Sequence, residues 1–227
     1  MMVSAARSSA TVTAGQPTQG RRIRGLDADQ RRLQRRDHLL DAATALFAER
    51  GYHNTAIEQI CQNAFVGTKA FYELFENKEA LYIALLAQVS EQIEARVVAE
   101  LAVAPDDEAD AVTSVISAFA HALVDDPRVA RVTFGEAAGI SPAVERQRRK
   151  NRRWAAAFLQ QLWRQYDADS TTTDYRALAI ATIGGMFELV ADWLQPDGNS
   201  STVEGLVDDL TTFAATVRRG IADADTR

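Results

Sequence analysis

Apolar residues recur at helical spacing along nearly the whole chain, and nowhere is the pattern clearer than in residues 55 to 75, TAIEQICQNAFVGTKAFYELF. At 100° per residue, Ala56, Ile57, Ile60, Cys61 and Ala64 share one arc, and Glu58, Gln59, Gln62 and Asn63 share the other. Thr55 followed by Glu58 has capping-box spacing and predicts the start of this helix. A second short helix, from Gly67 or Thr68 to Phe75, buries Ala70, Phe71, Leu74 and Phe75 and leaves Thr68, Lys69, Tyr72 and Glu73 outward. Two amphipathic helices joined by a turn predict a helix-turn-helix. Upstream, a helix from about Asp29 to Arg50 buries Leu39, Leu40, Ala43, Leu46 and Phe47 and stops at Gly51. Downstream, Asn77 caps a long helix from Lys78 to about Val103. Five more are predicted over about 108–125, 127–138, 142–166, 172–195 and 201–220, which makes nine, punctuated by Pro127, Gly139 and Pro196-Asp197-Gly198.

The expected fold is therefore all-α, with a three-helix head followed by a six-helix body. The expected divisions are an extension of disordered character at 1–26, rich in Ser, Thr, Ala and Gly, a helix-turn-helix domain at 27–77 and a larger domain at 78–221. The chain has 227 residues, 47% of them hydrophobic, enough for a real core. A single cysteine excludes an intramolecular disulfide, and no apolar run follows the N-terminus, so the expected location is the cytoplasm, away from membranes.

Net charge is −6, which by itself opposes nucleic-acid binding. The distribution changes the picture. Through residue 78 there are eleven Arg and Lys against eight Asp and Glu, and the excess lies mainly in Arg21, Arg22, Arg24, Arg31, Arg32, Arg35 and Arg36. The remainder carries fourteen against twenty-three. Placed just before a helix-turn-helix, Arg31, Arg35 and their neighbours either neutralise phosphates or form the solvated start of a helix.

The run from Leu39 to Leu86 resembles the N-terminal domain of the tetracycline-repressor (TetR) family of dimeric bacterial transcription regulators. The resemblance rests on Leu46-Phe47-x-x-x-Gly51-Tyr52, Thr55 before the second helix, Phe71-Tyr72-x-x-Phe75 in the third, and Lys78-Glu79-x-Leu81 opening the fourth. Two positions depart from the family pattern: Phe65 stands where a turn glycine is usual, and Leu74 where a polar residue is frequent. Phe65 either bears a left-handed conformation or imposes a variant turn. The resemblance implies phosphate contacts from Thr55, Tyr72 and Lys78, and places Gly67, Thr68, Lys69 and Ala70 nearest the base edges of a palindromic operator in double-stranded DNA. It also implies a homodimer and a small-molecule ligand in the body.

In the seventh predicted helix, Gln147 and Asn151 share a stripe with Trp154 and Phe158. Polar groups among aromatics fit either internal packing or a ligand pocket, to which Phe119, Phe134, Glu136 and Met186 are further candidates. The eighth helix is apolar around most of its circumference, and with the ninth it predicts a dimer interface through Ile183, Phe187, Val190, Leu194, Leu206, Leu210 and Phe213, with a monomeric core as the alternative. Gly184-Gly185 allows close approach of the partner helix. Cys61 reads as a core filler. His121 and Asp125 alone do not make a metal site, and no cofactor is expected. An all-α enzyme is disfavoured by the lack of a Glu-x-x-His pattern, a phosphate loop or a nucleophile with its base. A helical interaction protein without DNA binding is the remaining alternative.

Overall fold

The computed structural model describes residues 27–136, 139–166, 174–195 and 202–225, with the side chains of Glu136 and of residues 222–225 outside that description. The extension at 1–26, with Arg21, Arg22 and Arg24, also lies outside the described residues. Everything regular among the described residues is helical: α1 (Ala28–Arg50), α2 (Ile57–Asn63), α3 (Thr68–Tyr72), α4 (Lys78–Leu101), α5 (Glu108–Val124), α6 (Pro127–Ala130), a π-helical turn (Arg131–Glu136), α7 (Pro142–Tyr166), α8 (Arg176–Trp193) and α9 (Val203–Asp225). None of these helices is long and apolar enough to cross a membrane.

Local chemistry sets the boundaries. Asp27 and Gln30 form a reciprocal capping box at the start of α1, with Asp27 Oδ1 accepting from Gln30 N at 2.8 Å and Gln30 Oε1 from Asp27 N at 3.0 Å. Gly51 ends α1 at φ +81°, a conformation that glycine adopts without steric cost. Asn77 caps α4 as expected, its Oδ1 accepting from Ala80 N.

The predicted box at Thr55 is corrected. Helix α2 begins one position later, with Ala56 as N-cap and the Gln59 side chain accepting from Ala56 N at 2.9 Å. Ala56 itself is exposed, not buried. The single helix expected over 127–138 is also corrected. After Ala130 the chain widens into the π-helical turn, where the Tyr82 hydroxyl donates to Val132 O at 2.6 Å and Val132 and Phe134 are buried. β-branched Val132 and Thr133 and helix-weak Gly135 favour the α-form poorly, and a side-chain donor on a main-chain carbonyl competes with the helical ladder.

One continuous cluster of buried apolar side chains runs from Leu39 to Ile221 and joins head to body. Helix α1 packs on α2, α4, α6 and the π-helical turn; α4 packs on α5 and α7; α8 is held by α7 and α9. Several residues of the expected dimer interface also serve packing within the chain. Ile183, Val190, Leu206 and Leu210 are buried within their own chain. Phe187 lies in an aromatic cluster with Phe119 (centroids 5.9 Å apart) and Phe134 (5.1 Å). Leu194 and Phe213 are half-buried, and a Cβ on Gly185 would meet the Phe213 ring at 2.7 Å, so this glycine serves contact within the chain. The exposed stripe of α8 is Ala177, Ile180, Ala181, Gly184 and Glu188.

Candidate nucleic-acid interface and ligand cavity

Helix α3 is fixed from beneath by Phe71, fully buried, and by Phe75, whose rings lie 5.8 Å apart. That anchoring leaves Gly67, Thr68, Lys69, Tyr72 and Glu73 exposed and Ala70 half-buried. Tyr72 is 54% exposed, so its phenol can reach outward. The outward set is short, polar and carried on a rigid base, the arrangement that lets a recognition helix present side chains to a major groove. Arg31 lies exposed on the N-terminal half of α1, and Arg35 is half-buried, with its Nε donating to Arg31 O. Arg36 is turned toward the body, donating to Gln88 on α4.

Two residues expected at the phosphates are engaged elsewhere. Thr55 is 1% exposed, and its hydroxyl donates to Gly51 O at 2.9 Å, so it braces the end of α1. Lys78 Nζ donates to Tyr52 O and Thr55 O, both at 2.7 Å, and sits 4.4 Å from the centroid of the Tyr52 ring. Burial holds its pKa below the ordinary lysine value. Lys78 therefore ties the first turn of α4 to the loop before α2. Nothing in the local sequence distinguishes this role, because the carbonyls it meets belong to residues more than twenty positions away.

Phe65 occupies the turn at φ +53° and is 96% exposed. The left-handed conformation, one of the two alternatives read from the sequence, is the one adopted. It costs about 1 kcal/mol or more for a residue with a Cβ.

Cys61 is buried, and desolvation, the larger effect, raises its thiol pKa. Its thiolate is therefore scarce at neutral pH. Alkylation with iodoacetamide should be slow in the native protein and rapid after denaturation; fast native labelling would show that α2 opens readily.

In the body, a cavity of about 50 Å³ is lined almost wholly by apolar side chains from α4, α5, α7, α8 and α9, among them Val97, Phe119, Trp154, Phe158, Ile183 and Met186. Four of the candidate ligand residues, Phe119, Trp154, Phe158 and Met186, thus meet at one place. Phe134 stands behind it, against Phe187. Trp154 and Phe158 stack at 5.6 Å and also wall an outer groove of about 420 Å³ with Glu94, Gln161 and Gln165. Gln147 and Asn151 are held by internal hydrogen bonds: Gln147 Nε2 donates to Asn151 Oδ1 at 2.8 Å, and Asn151 Nδ2 donates to Leu86 O at 3.1 Å. They fasten α7 to α4. The side chain of Glu136 lies outside the described residues.

Sequence reasoning missed Arg152. Its guanidinium lies 5.6 Å from the Phe187 centroid, and desolvation is the first cause lowering its pKa. Its neighbours Arg148 and Arg149 pair with Glu145. His121 Nδ1 hydrogen-bonds with Asp125 Oδ1 at 2.8 Å, and Arg96 pairs with the same carboxylate at 3.0 Å. Among the described residues, no group of three or more His, Cys, Asp or Glu is placed to hold a metal.

Comparison with known proteins places these two sites in context. Residues 39–85 match a family model described as bacterial regulatory proteins, tetR family, and residues 105–218 match one described as a Tetracyclin repressor-like C-terminal domain. The HTH-type transcriptional regulator RutR of Escherichia coli K12 is 38% identical over 72 residues, 32% of this chain. That match spans about a third of RutR, 31% of its length. The transcriptional regulator FadR from Bacillus subtilis, solved in complex with stearoyl-CoA, superposes with a TM-score of 0.68 and 23% identity, over 78% of this chain and 95% of that one. AibR, solved in complex with isovaleryl coenzyme A and operator DNA, superposes with a TM-score of 0.59 and 18% identity, over 78% and 96%.

Proposed function

The chain belongs to the TetR family of bacterial regulatory proteins, and from that premise we propose that it is a homodimeric DNA-binding transcriptional regulator, a repressor released from a palindromic operator by a small-molecule ligand. The observation that carries this reading is the outward set Thr68, Lys69 and Tyr72 on an α3 anchored by Phe71, within a core continuous with the body cavity. Residues 27–77 form the DNA-reading part, and 78–221 the ligand-binding and dimerising part. Thr68, Lys69 and Ala70 read bases; Tyr72, Arg31 and Arg35 reach phosphates.

The ligand class follows from the cavity and from what the neighbours bind. An apolar cavity suits an acyl chain, and coenzyme A thioesters occupy both FadR from Bacillus subtilis and AibR. A cavity of about 50 Å³ is far below the roughly 300 Å³ or more of typical small-molecule pockets. An acyl group would have to part the helices that line it, α4 among them. The Arg152 guanidinium, beside the aromatic cluster that backs the cavity, supports an anionic head group on the ligand. Parting α4 from α7 would alter the separation of the two heads, a shift between DNA-competent and DNA-incompetent populations.

Dimerisation is assigned to the exposed stripe of α8. Its small residues, Ala177, Ala181 and Gly184, let a second copy's helix approach closely. A Cβ at Gly184 meets nothing within 4 Å, so Gly184→Arg is tolerated by the monomer. It should leave helicity unchanged and convert a dimer to a monomer in sedimentation at micromolar concentration. A Gly184→Arg protein that stays dimeric would place the interface elsewhere. Selection of bound sites from random duplex DNA tests the whole reading: a palindrome with half-sites about 34 to 36 Å apart is expected, and no enrichment would remove the DNA-binding assignment.

A further inference from the structure

Phe65 carries two costs that nothing among the described residues offsets. Its φ of +53° is one that side chains with a Cβ rarely adopt, and its ring is 96% exposed to water. An unfavourable backbone conformation retained at an exposed aromatic points to a role in contact with something outside the chain. Its surroundings narrow what that is. The exposed residues beside it, Gln62, Asn63 and Gly67, are polar or lack a side chain, and Val66 is buried. Its exposed neighbours along the chain thus offer a protein partner no second apolar side chain to cover. Phe65 does, however, stand just before α3 in the chain, two positions before Gly67 and three before Thr68, residues already read as base-contacting. N-terminal residues of a recognition helix are those that meet base edges, and a phenyl ring there finds the thymine 5-methyl group as its apolar partner.

We propose that Phe65 is a specificity-determining residue whose ring contacts a thymine methyl in the major groove, at the position flanking the one read by Thr68 and Lys69. This rests on the DNA-binding reading above. The geometry also separates binding from folding: Phe65→Gly relaxes the backbone and takes away the ring that meets the methyl, so stability and affinity should move in opposite directions.

The test uses the full-length dimer and its selected operator. Phe65→Gly should raise Tm by about 2 to 4 °C and weaken operator binding by about tenfold, while affinity for random duplex changes less than twofold. Replacing the contacted thymine by deoxyuridine, which lacks only the methyl, should cost the unaltered protein about fourfold, the equivalent of one buried methyl group, and should cost Phe65→Gly nothing. Phe65→Leu, which keeps an apolar tip without relieving the backbone, should retain part of the methyl preference. If Phe65→Gly binds the operator as tightly as the unaltered protein, or if no thymine shows methyl dependence that the substitution removes, the proposal is overturned. Failure of the unaltered protein to enrich any site would sink the DNA-binding reading itself, a different and separable result.

Discussion

Lys78→Ala should lower Tm by about 4 to 8 °C and weaken operator binding at least tenfold without changing the salt dependence of that binding. The reason lies in what Nζ does in the folded chain. It donates to Tyr52 O and Thr55 O and packs over the Tyr52 ring. Hydrogen bonds from a charged donor contribute about 1.5 to 3 kcal/mol, and truncation leaves two partly buried carbonyls to find water. A loss of about 2 kcal/mol in a chain of this size corresponds to the stated Tm change. The affinity loss follows because the loop before α2 and the start of α4 are no longer held in register, so α3 is presented less firmly. A phosphate ligand would behave differently. Its removal would leave Tm nearly unchanged and reduce the slope of log affinity against log salt by about 0.9 for each phosphate that is no longer neutralised. Thermal melting and salt titration of one variant therefore decide between the two roles.

Trp154→Ala should abolish release of DNA by an acyl-coenzyme A ligand while leaving affinity in its absence within about threefold of the unaltered protein. Trp154 and Phe158 form the stacked wall between the apolar cavity and the outer groove. Removing the indole merges the two spaces and admits water where the acyl chain would be held, at a stability cost of about 2 kcal/mol for a half-buried aromatic. Coupling between ligand and DNA is reciprocal, so a chain that cannot hold the ligand cannot be switched by it. Stearoyl-coenzyme A and isovaleryl-coenzyme A, the ligands of the two structural neighbours, are the probes. Trp154→Phe should restore the response. Release at an unchanged ligand concentration by a folded Trp154→Ala protein would move the site away from this wall.

Much of this architecture is written in local pattern. The two arcs of α2 and α3, the stop at Gly51 and the cap at Asn77 follow from periodicity and capping chemistry, which act over a few residues. What the sequence left open depends on partners distant in the chain. Periodicity says that Gln147 and Asn151 share a stripe with aromatics; it does not say that Leu86 O waits opposite. An apolar helix such as α8 announces burial on several sides without saying whose side chains provide it, and here α7 and α9 of the same chain claim Ile183 and Val190. Thr55 and Lys78 look like surface groups for the same reason. Phe65 was legible as an anomaly, because a Cβ at a turn position is a local conflict, but its exposure needed the fold.

The π-helical turn bears on how the molecule comes apart. It is pinned by the Tyr82 hydroxyl from α4, packs on α1 and also meets α8, and Phe134 within it touches Phe187. An excised fragment ending before α4 would strip α1 of this cover. Because head and body share one continuous apolar core, a single cooperative transition is expected in calorimetry, with damage to the core of either half felt by both.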